Sequence, residues 1–260
     1  MRNALPDLSV GWHLHAGESL AFLRSLPRAS VDGLITDPPY SSGGAFRGDR
    51  AASTGTKYVS TSTIDKGVDF MGDTRDQRSW TMWCTLWISE CARVLKPGAA
   101  IAMTIDWRQL PALTDAFQAG GLTWRGIAVW DKTDAERPTP GGFAAQSEYI
   151  VWGSNGAWDR KPVKGVFCGS GVYRYPSPRV RQHQTEKPVE LMRDLVKIVE
   201  PGGVILDPFV GSGTTGVAAI REGYRFIGCE MSEHYADVAR QRLSVEVPPP
   251  GFVTEQAALW

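Results

Sequence analysis

The chain has 260 residues, 42% hydrophobic and 22% charged, enough length and apolar content to bury one large core. No apolar run reaches the roughly 20 residues that span a bilayer, and the opening MRNALPDLSVGWH lacks the apolar core of a signal peptide, so membrane insertion and export are excluded on this reading and the cytoplasm is the expected location. With 28 Lys plus Arg against 28 Asp plus Glu the formal net charge is zero, which excludes a long-range attraction of the whole molecule for nucleic acid and leaves such contact to local patches.

The elements follow in chain order. Residues 12–16 read as a strand and Glu18 to Leu26 as a helix, with Leu20, Leu23 and Leu26 at helical spacing. Residues 30–36 (SVDGLIT) form a strand that two prolines stop at Asp37-Pro38-Pro39-Tyr40, making that tetrapeptide a turn at the strand's carboxyl end. Residues 41–78 are rich in Ser, Gly, Thr and Asp with almost no apolar periodicity, the pattern of a long mobile loop or a small insertion, and long structureless loops are usually functional. A helix from Trp80 to Leu95 ends at Lys96-Pro97-Gly98 and leads to a strand at 99–105. A helix at 108–119, strands at 122–130 and 147–152, and a helix at 188–199 follow. Strand VILD, a glycine turn, a helix, strand YRFIGCE, a helix at 232–243 and an irregular tail complete the chain. Alternating strands and helices imply an α/β domain with a mostly parallel sheet.

Residues 204–216, VILDPFVGSGTTG, carry Gly211, Gly213 and Gly216 as G-x-G-x-x-G between a strand and a helix. Glycines there let backbone approach a ligand at a helix amino terminus. Glu230 ends the next apolar strand, 17 residues past Gly213, where an acidic side chain can bind the two hydroxyls of a ribose. Together they imply a nucleoside-containing cofactor. A dinucleotide is disfavoured because only 44 residues follow Gly216, too few for a second nucleotide-binding half.

The Asp37-Pro38-Pro39-Tyr40 turn suits chemistry on an aromatic amine. Such an amine is a poor nucleophile, its lone pair being delocalised into the ring. Acceptors aimed at its two hydrogens favour a pyramidal nitrogen that can attack an electrophilic methyl group. The Asp37 carboxylate and the Pro38 carbonyl are suitable acceptors, and proline's fixed φ holds that carbonyl in place. Tyr40 offers a stacking face to a base turned out of a duplex and a π-face to the charge that passes to nitrogen.

Other features carry less. Cys84, Cys91, Cys168 and Cys229 form no C-x-x-C pair, Cys84 and Cys91 share a helix face as core thiols, and no metal site is expected. His13 and His15 read as a plain strand face, and Trp83, Trp87, Trp130 and Trp152 as core. In residues 159–187, seven basic residues (Arg160, Lys161, Lys164, Arg174, Arg179, Arg181, Lys187) face only Asp159 and Glu186, a local +5.

With DPPY at 37 and DPFVGSGTT at 207, the sequence resembles the β-class amino-methyltransferases of DNA, in which the catalytic block precedes the cofactor block. AGESLAFLRSLP at 16, CARVLKPG at 91, SEYIVWG at 147 and HQTEKPVELMRDLV at 183 extend the resemblance over most of the chain. It implies a seven-stranded, mostly parallel Rossmann-like sheet with helices on both faces, one domain over residues 1–260, and S-adenosylmethionine as cofactor. Carried over by position, Asp37, Pro38, Pro39 and Tyr40 bind and activate the target amine. Asp207, Phe209, Gly211, Ser212, Gly213, Thr214 and Thr215 hold the cofactor's methionine part, with Glu230 on the ribose, and Thr185, Lys187 and Pro188 lie near the cofactor's amino-acid end. Glu18 stands where family members carry aspartate, a carboxylate expected near the adenine.

The D-P-P-Y form points to adenine N6 as acceptor. Cytosine N4, an RNA or protein amine, and a silent nucleic-acid-binding module stay open as alternatives. Double-stranded DNA is the expected partner, and the family adds a cognate restriction endonuclease and a homodimer as candidates. Sequence-specific contacts fall to segments the family does not share: the loop 41–78 and the insertion 154–182, where Arg174, Arg179 and Arg181 interleave with Tyr173 and Tyr175 in a pattern suited to phosphates and base edges.

Overall fold

The computed structural model describes residues 4–41, 75–133, 140–158, 167–178 and 186–249. Among the described residues eight strands form one sheet: β1 (Trp12–Ala16), β2 (Val31–Thr36), β3 (Leu95–Ile105), β4 (Thr123–Asp131), β5 (Ser147–Ser154), β6 (Val172–Arg174), β7 (Val204–Asp207) and β8 (Arg225–Glu230). Six helices are described: α1 (Ser19–Ser25), α2 (Gln77–Val94), α3 (Leu110–Ala119), α4 (Val189–Val196), α5 (Thr214–Arg221) and α6 (Glu233–Ser244). The strand order is β1-β8-β7-β2-β3-β5-β4-β6. Every pairing is parallel except those of β5 with β3 and β4.

Buried strands alternate their side chains between two cores, as a pleat of period two requires. Leu34, Ile101, Met103, Leu206 and Ile227 point to one face, where α1, α2 and α3 supply Leu23, Trp80, Trp87 and Phe117. Ile35, Ala100, Ala102, Ile205 and Phe226 point to the other, against Leu191 and Val196 of α4, Ala218 of α5 and Leu243 of α6. A sheet covered on both faces needs near-continuous apolar strands, and AAIAMTI and VILD are of that kind. Cys84, Cys91, Trp87 and Trp130 are buried as expected, with Trp83 and Trp152 partly so.

The structure departs from the expected elements in several places, the helix expected at 188–199 ending at Val196 and the strand expected at 147–152 running on to Ser154 among them. Helix α2 begins at Gln77 rather than Trp80, because the Asp76 carboxylate caps it by accepting from the backbone N–H groups of Arg78 and Ser79. The end of the expected loop is therefore helix, and residues 42–74 lie outside the described residues. Strand β3 starts at Leu95, directly after α2, with an irregularity between Val31 and Gly33 of β2 absorbing the extra length. Helix α3 starts at Leu110 behind Gln109. Finally, the sheet has an eighth strand: the three-residue β6 pairs with the edge of β4 through Val129–Val172, Trp130–Tyr173 and Asp131–Arg174. No helix among the described residues is long and apolar enough to cross a membrane.

Candidate active site

Because β1, β8, β7, β2, β3 and β4 run parallel, their carboxyl ends share one edge of the sheet. From β7 the chain steps to β8, and from β2 it steps the opposite way to β3, so the order reverses between β7 and β2, the place where such sheets open a crevice. Asp207 ends β7, and Asp37 follows Thr36 at the end of β2. The Thr36 hydroxyl joins the two turns by donating to Asp207 Oδ1 at 2.6 Å.

Asp37 is the centre of a polar cluster. Its Oδ1 accepts from the Tyr40 hydroxyl at 2.7 Å and the Thr104 hydroxyl of β3 at 2.5 Å. Its Oδ2 lies 2.8 Å from Lys187 Nζ. Glu148 of β5 completes the group, with Oε2 3.1 Å from the Tyr40 hydroxyl and 3.4 Å from Lys187 Nζ, and Oε1 3.0 Å from Lys132 Nζ. The Lys187 ammonium stands 4.9 Å over the Tyr40 ring. Burial would raise the Glu148 carboxyl, but the cations of Lys187 and Lys132 outweigh it and hold it below the ordinary range. Burial likewise opposes the charge on Lys187, and Asp37 and Glu148 override it and keep the ammonium protonated. Burial first, then both carboxylates, pushes the Tyr40 phenol well up, so Tyr40 is a neutral donor.

Helix α2 fixes the turn from below, where Trp80 Nε1 donates to the Pro39 carbonyl at 2.8 Å. Among the described residues nothing donates to the carbonyl of Pro38. The turn thus commits the Pro39 carbonyl to its own anchoring, and no described residue claims the Pro38 carbonyl next to Asp37.

The glycine turn is built for close approach. Gly211 and Gly213 take φ of 53° and 94°, and Gly213 caps α5. A Cβ at Gly213 would meet Ala239 of α6 at 3.1 Å. Asp207 is fully buried and accepts from Thr36, from the N–H of Phe209 at 3.0 Å and from Thr215. Burial pushes its carboxyl up to about 6, against the pull of those hydrogen bonds. Phe209 packs edge-on against Trp87 and tilted against Trp83, with ring centroids 5.0 and 5.3 Å away. At the end of β8, Glu230 accepts from the N–H groups of Gly211 at 2.9 Å and Ser232 at 2.8 Å, and burial raises its carboxyl against those bonds. From α6, Arg242 donates to the carbonyl and hydroxyl of Ser212, both at 3.0 Å, and pairs with Glu186 at 2.8 Å. Glu186 in turn lies 3.4 Å from the Thr214 hydroxyl.

The structure gives several expected site residues partners that the sequence does not show. Lys187, expected near the cofactor's amino-acid end, has its ammonium on Asp37 and Glu148. Glu18, expected beside an adenine, uses both carboxylate oxygens to cap α1, accepting from Leu20 at 2.9 Å and Ala21 at 2.7 Å. Tyr173 is buried in the core, and the half-buried Tyr175 donates its hydroxyl to Asp194 of α4 at 2.7 Å, its phenol pushed up to about 12 by that bond. Arg174 is exposed on β6 and pairs with Asp131 at 3.3 Å. Arg179, Arg181 and Thr185 lie outside the described residues, as do Arg160, Lys161 and Lys164. The sequence reading missed Trp80, Thr104, Lys132, Glu148 and Arg242 as site residues. Glu148 alone had a local signal, a carboxylate set in the otherwise apolar strand SEYIVWG.

A family model described as DNA methylase matches residues 31–166 and 158–241. Over 229 residues the chain is 31% identical to YubD of Escherichia coli (strain K12), a protein named as a methylase, with 88% of each chain covered. It is 29% identical over 252 residues to Type II methyltransferase M2.DpnII of Streptococcus pneumoniae, again covering 88% of each. Among solved structures, TTHA0409 of Thermus thermophilus in complex with S-adenosyl-L-methionine superposes with a TM-score of 0.64 at 24% identity, covering 92% of this chain and 95% of that one. The cytosine-N4-specific PvuII DNA methyltransferase superposes with a TM-score of 0.67 at 16% identity, covering 95% and 90%.

Proposed function

The chain belongs to the DNA methylase family, and on that premise we propose that it transfers the methyl group of S-adenosylmethionine to an exocyclic amine of a base in double-stranded DNA, adenine N6 being the acceptor. The observation that carries this reading is the pair of acceptors at the crevice, the Asp37 carboxylate and the Pro38 carbonyl to which no described residue donates, beside a glycine turn whose Gly211 N–H donates to Glu230 at the end of β8. Residues 1–260 are read as one domain, with 154–182 as the target-reading insertion and Arg174, Arg179 and Arg181 as its DNA contacts.

The residues present fit the cofactor by the chemistry of their donors and acceptors. Glu230 keeps carboxylate lone pairs beyond its two backbone bonds for a ribose diol, and the Gly211-to-Thr215 backbone has no side chain at its two left-handed positions to bar a ligand. Asp207, Phe209, Ser212, Thr214 and Thr215 border that same turn. When bound, S-adenosylmethionine supplies an electrophilic sulfonium methyl group. The chain's own work is on the amine: Asp37 and Pro38 accept its two hydrogens, which localises the lone pair, and the negative carboxylate opposes the positive charge that grows on nitrogen. Tyr40 as a neutral donor keeps Asp37 oriented, and Thr104 does so from β3. At the same edge Trp107, 58% exposed with the Arg108 guanidinium 5.0 Å from its ring, offers an aromatic and a cation to a nucleic-acid strand.

Type II methyltransferases among the similar proteins make a companion restriction endonuclease a proposed partner, and a second copy of the chain another. The substrate class is tested by supplying tritiated S-adenosylmethionine with duplex DNA, RNA or protein. Label in DNA alone is expected, and label in RNA or protein without DNA would overturn the reading.

The carboxyl of Asp207 gives a pH dependence. Its pKa of about 6 leaves it mostly ionised at pH 7, where its charge favours a cationic amino-acid group. Protonation as pH falls through 6 removes that attraction, so cofactor Kd rises toward low pH, by about tenfold at most between pH 7 and 5. Calorimetric titration checks this, and Asp207→Asn flattens the profile. A wild-type Kd constant over the range contradicts the assignment.

A further inference from the structure

Resting on the amine-methylation reading, the geometry points to Lys187 as a latch on Asp37, with Glu148 as the second seat to which its ammonium moves when the target base arrives. Lys187 Nζ lies 2.8 Å from Asp37 Oδ2 and 3.4 Å from Glu148 Oε2, so both carboxylates are within its reach and a swing of its flexible stem toward Glu148 lengthens the Asp37 contact as it shortens the other. Asp37 Oδ1 already receives two hydroxyls, from Tyr40 and Thr104. Oδ2 is therefore the oxygen best able to take a hydrogen of the incoming amine, and it is the one that Lys187 covers. The same ammonium also stands over the Tyr40 ring, 4.9 Å from its centroid.

The electrostatics favour an exchange rather than a fixed pair. Methyl transfer moves positive charge onto the target nitrogen, and a carboxylate paired to an ammonium stabilises a second cation poorly. While the site is empty, Lys187 supplies the counter-charge to the partly buried Asp37 carboxylate. Glu148 resolves the conflict: held ionised, anchored to Lys132 through Oε1 and touching the Tyr40 hydroxyl through Oε2, it can take the whole ammonium and leave Asp37 to the substrate. No covalent bond changes in this step, and no proton is transferred. Lys187 and Glu148 are positioning residues in this account, acting through Asp37.

The test is single-turnover methyl transfer to duplex DNA by wild type, Glu148→Gln, Lys187→Met and the double variant, with DNA and cofactor Kd measured for each. Glu148→Gln is expected to slow transfer on the order of 10²-fold with both Kd values within about threefold of wild type, because Lys187 stays on Asp37. In the Lys187→Met background the same substitution is expected to change the rate by less than about threefold, since no latch is left to release. Glu148→Asp, which keeps the charge, is expected to restore most of the rate and covers the case in which Glu148→Gln fails to fold. An active wild type with Glu148→Gln unimpaired, or rate losses that multiply in the double variant, overturns the latch. A wild type inactive on every DNA overturns the reading beneath it.

Discussion

Asp37→Ala is expected to lower kcat for methyl transfer to duplex DNA by about 10³-fold or more while cofactor binding is retained. The side chain does two things at once: it accepts an amine hydrogen, and it holds Tyr40, Thr104 and Lys187 around one point. Alanine removes the acceptor and the charge and also strands Lys187, whose remaining described carboxylate partner is Glu148 at 3.4 Å. Breaking a buried ion pair from one side costs about 3–5 kcal/mol when nothing replaces it, and Glu148 reduces that here. A lowered melting temperature is therefore expected beside the loss of rate. Asp37→Asn separates the effects: it keeps the shape and one acceptor oxygen, loses the charge, and is expected to fall by about 10². Steady-state kinetics with tritiated cofactor, a thermal melt and a cofactor titration read all three quantities. A kcat for Asp37→Ala within about tenfold of wild type would contradict the role given to the carboxylate.

Gly213→Val is expected to abolish detectable cofactor binding and to cost the fold several kcal/mol. Gly213 sits at φ 94° and caps α5, with Ala239 of α6 at 3.1 Å from the position of a Cβ. A β-branched residue in left-handed conformation costs about 1–2 kcal/mol, and overpacking against α6 adds about 1–3 kcal/mol. Relief by backbone movement would displace the amides of Thr214 and Thr215 at the start of α5, where the turn meets its ligand. Gly202→Ala is the control: it shares a positive φ, 73°, but a Cβ there meets nothing within 4 Å. It is expected to cost about 1 kcal/mol and leave cofactor affinity unchanged. Equal cofactor affinity in Gly213→Val and wild type would remove the glycine turn from the site.

These expectations divide according to how local their causes are. The strands and the two functional turns were legible because their signals are short-range: apolar runs ending in prolines at 38 and 39, and glycines between VILD and a helix. The β6 strand was not, since Val172-Tyr173-Arg174 is three residues long and exists only by pairing with the edge of β4. Tyr173 and Tyr175 looked like partners for bases among arginines, yet β-pairing turns one into the core and the Asp194 carboxylate takes the hydroxyl of the other. Asp76 moved the start of α2 by a capping bond that the apolar pattern beginning at Trp80 conceals. The Asp37–Lys187 pair joins residues 150 positions apart, and Trp80 reaches back 41 positions to Pro39. Such contacts follow from the order of strands in the sheet, which the linear spacing of motifs does not carry. The resemblance supplied the residue set around the two turns, Tyr40 and Lys187 included, while Thr104 and Glu148 came only from the structure.

The most direct test of the account is the chemical identity of the methylated base. Plasmid DNA from cells expressing wild type or Asp37→Ala, in a host lacking both marks, is digested to nucleosides and resolved by mass spectrometry. The account predicts N6-methyladenine from wild type and none from Asp37→Ala. N4-methylcytosine would keep the mechanism and contradict the acceptor, and the same N6-methyladenine yield from both proteins would contradict the central claim that Asp37 activates the amine.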